Sequence, residues 1–119
     1  MKKQGKLIVH TGSMFSGKTT SLWRELYRMN IANYKVVAFK PSIDDRDGDK
    51  QIVTHDNLSL DAIKVEDLNN ILSYAKDHEI DAIGIDELQF FPNDPSEVVD
   101  IFNKLMAMNI TIVVSGLDM

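Results

Sequence analysis

Leu7-Ile8-Val9-His10-Thr11-Gly12-Ser13-Met14-Phe15-Ser16-Gly17-Lys18-Thr19-Thr20 joins a short apolar run to a glycine-flanked octapeptide. Gly12 to Thr19 match G-x-x-x-x-G-K-[ST] in full, with a strand-like run before them and a helix-like pattern after. The spacing has a physical cause. Gly12 and Gly17 permit backbone conformations and close approaches that a side chain would block. The amides of Ser13, Met14, Phe15 and Ser16 can then turn inward around phosphate oxygens. The loop feeds a helix N-terminus, whose unpaired amides and dipole favour an anion. Lys18 can reach the terminal phosphates and Thr19 can ligate magnesium through its hydroxyl, and Gly12 to Thr20 are the expected ATP-binding residues.

Outward from this loop the pattern alternates strand and helix, which predicts an α/β fold. The expected architecture is a P-loop NTPase-like three-layer domain, a mostly parallel sheet flanked by helices. The contiguous apolar residues of Lys6 to His10 predict a strand covered on both faces. A helix is expected over about Lys18 to Asn33, with Leu22, Trp23, Leu26, Tyr27 and Met29 on one side. Val36 to Phe39 form a second buried strand, stopped by Pro41. Residues 41 to 60 read as irregular, polar and acidic, with a short strand near Ile52 to Thr54. Val65, Leu68, Ile71, Leu72 and Ala75 mark an amphipathic helix. Ile80 to Ile85 and Ile110 to Ser115 are the remaining strands. Between them, Asp94 caps a helix that has Pro95 in its first turn and Glu97 completing a capping box. Val98, Val99, Ile101, Phe102, Leu105 and Met106 supply the apolar face of that helix.

Ile83-Gly84-Ile85-Asp86-Glu87 ends an apolar strand in two carboxylates. Ligands of open parallel sheets bind at the C-terminal ends of the strands. Asp86 and Glu87 are therefore expected on the same rim as the phosphate loop. Successive residues point different ways, so Asp86 suits magnesium and Glu87 suits a proton acceptor. The pair alone leaves the nucleophile open between water, as in an ATPase, and a substrate hydroxyl, as in a kinase.

Composition narrows the classes. The 119 residues carry a formal net charge of -5 and no cysteine. One domain spanning 1–119 is expected. Without cysteine there is no disulfide framework, thiolate zinc site or cysteine nucleophile. The acidic balance disfavours a nucleic-acid partner. The apolar runs are strand-length, which disfavours a membrane span and points to the cytoplasm. His10, His55 and His78 lack metal-ligand spacing.

Several strings taken together resemble the type II (cytosolic) thymidine kinase family. They are Gly12 to Thr20, the Asp44-Asp45-Arg46 segment after Lys40, Thr54-His55-Asp56, Ile85-Asp86-Glu87-Leu88-Gln89-Phe90-Phe91-Pro92 and Ser115-Gly116-Leu117-Asp118. The Met-Phe pair inside the loop and the Asp-Glu-x-Gln-Phe-Phe string are more specific than the loop motif. The resemblance implies transfer of the ATP γ-phosphate to the 5′-hydroxyl of thymidine or deoxyuridine, with magnesium. It implies Glu87 as general base, Arg46 and Lys18 as catalytic cations, and Asp44, Asp86 and Thr19 at the magnesium site. Met14, Phe90 and Leu117 would line the nucleoside pocket. Homo-oligomers are implied as well.

Each assignment has a competing reading. Arg46 fits a solvated loop charge, Asp44 a turn residue, and Met14 and Phe90 core positions. The family continues past the strand ending near Leu117-Asp118 into a zinc-bound segment with a lasso-like loop over the nucleoside. This chain stops at Met119 with no cysteine, so no zinc is expected in it. It reads as the N-terminal, ATP-binding part, truncated at its C-terminus. The alternatives are an ATP-binding module without nucleoside kinase turnover, or a generic P-loop ATPase.

Overall fold

The computed structural model describes residues 5–10, 18–42, 51–53 and 59–116. In chain order the elements are β1 (Leu7–His10), α1 (Lys18–Ile31), β2 (Val36–Pro41), β3 (Gln51–Val53), β4 (Ser59–Val65), α2 (Leu68–Asp77), β5 (Ala82–Ile85), α3 (Pro95–Ala107) and β6 (Thr111–Ser115). A single 3₁₀ turn covers Leu88–Phe90. The strands form one sheet in the order β1-β6-β5-β2-β4-β3. All pairings are parallel except β3 with β4, which is antiparallel at the edge. This is the expected α/β architecture.

Strand alternation sorts the core into two layers. Ala38, Ala62 and Val113 face one side and pack with Leu22 and Leu26 of α1. Phe39, Ile83, Ile85, Ile112 and Val114 face the other, against Leu68, Ile71 and Leu72 of α2 and Ile101, Phe102 and Leu105 of α3. Gly84 sets the approach of α1: a Cβ there would lie 2.3 Å from Leu26 Cδ1. Close helix–sheet packing at β5 thus depends on the missing side chain.

The helix starts follow their sequence signals. Asp94 accepts from the Glu97 amide at 2.9 Å, and the Glu97 side chain accepts from the Asp94 amide at 3.2 Å. Asp67 caps α2 in the same way, accepting from the Asn69 amide at 2.7 Å. Asn93 ties this cap to the segment after β5. Its Oδ1 accepts from the Leu68 amide at 3.0 Å, and its Nδ2 donates to Asp67 Oδ1 at 2.9 Å. Asn33 and Asn109 adopt positive φ just past α1 and α3, where asparagine serves as a helix terminator.

Several expectations are corrected. β1 is an edge strand, and Leu7 and Val9 remain 43% and 42% exposed, so only one of its faces is covered. Residues 59–65, read in part as irregular and in part as helix, form β4, and Val65 is its last residue. The polar Ser59, Asp61 and Lys64 hid a strand that borders the sheet's edge. β2 runs through Pro41, which pairs with Val65; lacking an N–H, proline is tolerated at a strand end. Helix α1 ends at Ile31 instead of Asn33. Tyr27 and Val99 are exposed instead of lying on buried helix faces. Thr54, and with it the end of the expected third strand, lies outside the described residues.

Candidate active site

Four polar side chains are buried among the described residues: Lys40, Asp86, Glu87 and Ser115. All four stand at or just beyond the C-terminal ends of β2, β5 and β6, the rim where an open parallel sheet binds ligands. The register explains the clustering. His10 of β1 pairs with Ser115 of β6, Ile85 of β5 with Val114 of β6, and Ile85 also with Phe39 of β2. β1, which precedes the Gly12–Thr19 motif in sequence, therefore ends level with Ser115 and two strands away from Asp86, with β6 between. Helix α1 begins at Lys18 on this same rim, so its N-terminal dipole adds positive potential there.

Asp86 continues the ladder past β5, its amide donating to the Phe39 carbonyl at 3.0 Å. Its Oδ1 accepts from Ser115 Oγ at 2.6 Å and from the Glu87 amide at 3.0 Å. The carboxylate is thereby held in one orientation by the neighbouring strand and by the next residue. Hydrogen bonds to a charged acceptor are among the stronger ones in proteins.

Glu87 departs from the strand. It adopts φ 56° and ψ 47°, a left-handed conformation. Among the described residues it is the only positive-φ position that is neither glycine nor asparagine. Such a conformation costs on the order of 1–3 kcal/mol and persists where surrounding structure enforces it, commonly at functional sites. The Glu87 carboxylate has a partner of its own. Its Oε2 accepts from Gln89 Nε2 at 3.1 Å. Gly116 gives the Glu87 turn its space. At φ +107°, a Cβ there would lie 2.2 Å from Gln89 Oε1 and 2.9 Å from both Glu87 Cα and Leu88 N.

Phe90 is 46% exposed while Phe91 beside it is buried in the core. The two adjacent aromatics are divided: Phe91 anchors the segment and Phe90 keeps a ring available to a flat apolar ligand. Lys18, Thr19 and Thr20 form the start of α1. Gly12, Ser13, Met14, Phe15, Ser16, Gly17, Asp44, Arg46 and Leu117 lie outside the described residues. His78 is engaged locally, stacked on Tyr74 with ring centroids 3.9 Å apart.

A surface depression of about 510 Å³ lies at the opposite end of the sheet, lined in part by Lys35, His78, Glu79, Asp81 and Asn109. Its Lys35–Glu79 pair is 3.3 Å apart with side chains 65% and 90% exposed. Exposed pairs of this kind contribute little and belong to solvated surface. The buried polar rim is the candidate site.

Lys40 and Ser115 of this rim, and the exposed Gln89 that bonds Glu87, have no assigned role in the sequence analysis. Lys40 entered only as a landmark before Asp44, Ser115 only within a string, and Gln89 without a role. The signal for two of them was present. Val36-Val37-Ala38-Phe39-Lys40 and Ile112-Val113-Val114-Ser115 end buried runs in a polar residue, the same pattern that singled out Asp86.

The family model described as thymidine kinase matches residues 5–119. Thymidine kinases from two strains of Bacteroides fragilis are each 38% identical to the chain over 118 residues, 99% of its length. The chain spans 57% of the length of each.

Proposed function

Because the chain belongs to the thymidine kinase family, we propose that its rim is the ATP side of a thymidine kinase site. The proposed reaction moves the γ-phosphoryl group of ATP to the 5′-hydroxyl of thymidine or deoxyuridine. The observation that carries this reading is the buried carboxylate pair, Asp86 bonded by Ser115 and Glu87, on a left-handed backbone, bonded by Gln89. Two carboxylates held by different partners suit two separate tasks.

In this reading residues 1–119 form the nucleotide-binding domain. Gly12 to Thr20 cradle the phosphates, with Lys18 at the terminal ones. Carboxylate and hydroxyl oxygens are the hard donors that magnesium takes, so Asp86, Asp44 and Thr19 would hold it. When bound, magnesium offsets charge on the β- and γ-phosphate oxygens. Glu87 accepts the 5′-hydroxyl proton as the nucleoside oxygen bonds to the γ-phosphorus. The bond from that phosphorus to the β-phosphate oxygen breaks, and ADP leaves. Arg46 offsets charge on the group in transit. Met14, Phe90 and Leu117 line the nucleoside side, where the exposed Phe90 ring fits a pyrimidine face. The setting is the cytoplasm, and no helix among the described residues is long and apolar enough to cross a membrane.

The chain's 57% share of its relatives' length favours a second reading. In it, the chain binds ATP but needs further sequence for nucleoside turnover. Incubation with γ-labelled ATP, magnesium and thymidine separates the two. Labelled thymidine monophosphate supports the kinase reading for this chain. ATP binding without that product supports the binding module, and absence of ATP binding removes both.

A further inference from the structure

Lys40 is 5% exposed, yet its ammonium has no hydrogen-bond or ion-pair partner among the described residues. A lysine buried without a partner is expensive to keep charged. Its position indicates what it waits for. Ala38 packs on the α1 side of the sheet and Phe39 on the other, so alternation returns Lys40 to the α1 side. The same alternation places Lys64, the Cα partner of Lys40, on that side, because Ala62 packs there. Ser115 follows Val113 to the same side.

The strand order locates Lys40 on the rim. From β1, where the phosphate loop begins, the sequence across the sheet is β6, β5, β2. Phe39 pairs with Ile85, which puts Lys40 level with Asp86 and one strand beyond it. Strands lie about 4.8 Å apart. Lys40 is thus on the far side of the carboxylates from the loop, roughly 14 Å from β1 in strand spacings. That is too far for the phosphates nearest the loop and suits the one carried furthest from it.

We propose that Lys40 is a phosphate-contacting residue that binds the terminal, transferable phosphoryl group of a nucleoside triphosphate. The inference rests on the phosphate-loop reading of the rim and adds a cation to its acceptor side. The ammonium would pair with γ-phosphoryl oxygens in the triphosphate complex and have no such partner with the diphosphate.

The test compares wild type with Lys40→Met, which keeps volume and removes charge, and with Lys40→Arg. Calorimetry measures affinity for a non-hydrolysable ATP analogue and for ADP, each with magnesium. Lys40→Met should weaken the analogue by about tenfold or more, the usual worth of a charged hydrogen bond, and leave ADP nearly unchanged. Lys40→Arg should keep part of the preference for triphosphate. Without nucleotide, Lys40→Met should melt higher than wild type, because an unpaired buried charge is gone. A merely structural lysine would lower the melting temperature and affect both nucleotides alike, and that result overturns the proposal. So does an unchanged triphosphate affinity in folded Lys40→Met. Should Lys40→Met not fold, Lys40→Gln must show the same selective loss. A wild-type chain that binds neither nucleotide overturns the phosphate-loop reading as well; binding by wild type with no selective loss overturns only the role of Lys40.

Discussion

Ser115 Oγ donates to Asp86 Oδ1 at 2.6 Å, joining the ends of β6 and β5 through two buried side chains. This bond fixes the Asp86 carboxylate, and it gives Ser115 a role that its place in an apolar strand does not announce. Ser115→Ala should destabilise the fold by about 1–3 kcal/mol, the cost of leaving a buried acceptor short of a donor. Urea unfolding measures it. Stability equal to wild type would mean that the hydroxyl does not hold Asp86.

The two carboxylates should separate on mutation. Glu87→Gln should leave ATP affinity nearly intact while lowering phosphoryl transfer by about a hundred- to ten-thousand-fold, the usual contribution of a general base. Single-turnover assays on an active thymidine kinase carrying this segment read the effect. Retained turnover would remove Glu87 from the proton-transfer role.

Gly116 tests the turn at Glu87. At φ +107°, with Glu87 Cα and Leu88 N both 2.9 Å from a would-be Cβ, alanine has no room without moving backbone. Gly116→Ala should displace the Glu87 turn and reduce phosphoryl transfer. Gly84→Ala is the contrasting case. Its Cβ would meet Leu26 Cδ1 at 2.3 Å, so it should cost stability, about 1–3 kcal/mol by overpacking. Equal behaviour of the two variants would contradict this division.

Much of this arrangement was legible in the sequence. Apolar runs with a glycine loop between strand and helix predicted the parallel sheet. Asp94, Pro95 and Glu97 marked the start of α3 to the residue. The placement of Asp86 and Glu87 at a strand end followed from a single apolar run. What was not legible depended on neighbours in space. β4 carries alternating polar residues that resemble a loop until β2 pairs with it. Leu7 and Val9 looked like a central strand because composition does not show which strand lies at the edge. Lys40 and Ser115 end buried runs in the sequence, but that they flank Asp86 depends on β2 and β6 lying on either side of β5.

The helix caps predict an acid response. Hydrogen bonds from the Asn69 amide, and then from the Asn93 side chain, hold the Asp67 carboxyl below its ordinary value. The Glu97 amide, with the Ser96 hydroxyl, does the same for Asp94. Both values are depressed in the folded state, so their contribution is complete above the unfolded value near pH 4 and is lost as pH falls through the folded value. Asparagine caps about as well as aspartate. The double variant Asp67→Asn, Asp94→Asn should therefore resemble wild type at neutral pH and lose less stability on acidification. An unchanged acid slope in urea unfolding would count against these caps as the source.

The central claim is that nucleotide phosphates bind where β1, β6, β5 and β2 end. Titration of ¹⁵N-labelled protein with magnesium and ATP tests it residue by residue. The amides of Lys40, Asp86, Glu87, Ser115 and Gly116 should shift with one saturable affinity, while those of Lys35, Asp81 and Asn109 at the opposite end stay in place. Shifts confined to the opposite end, or none at saturating ATP in folded protein, would contradict the account.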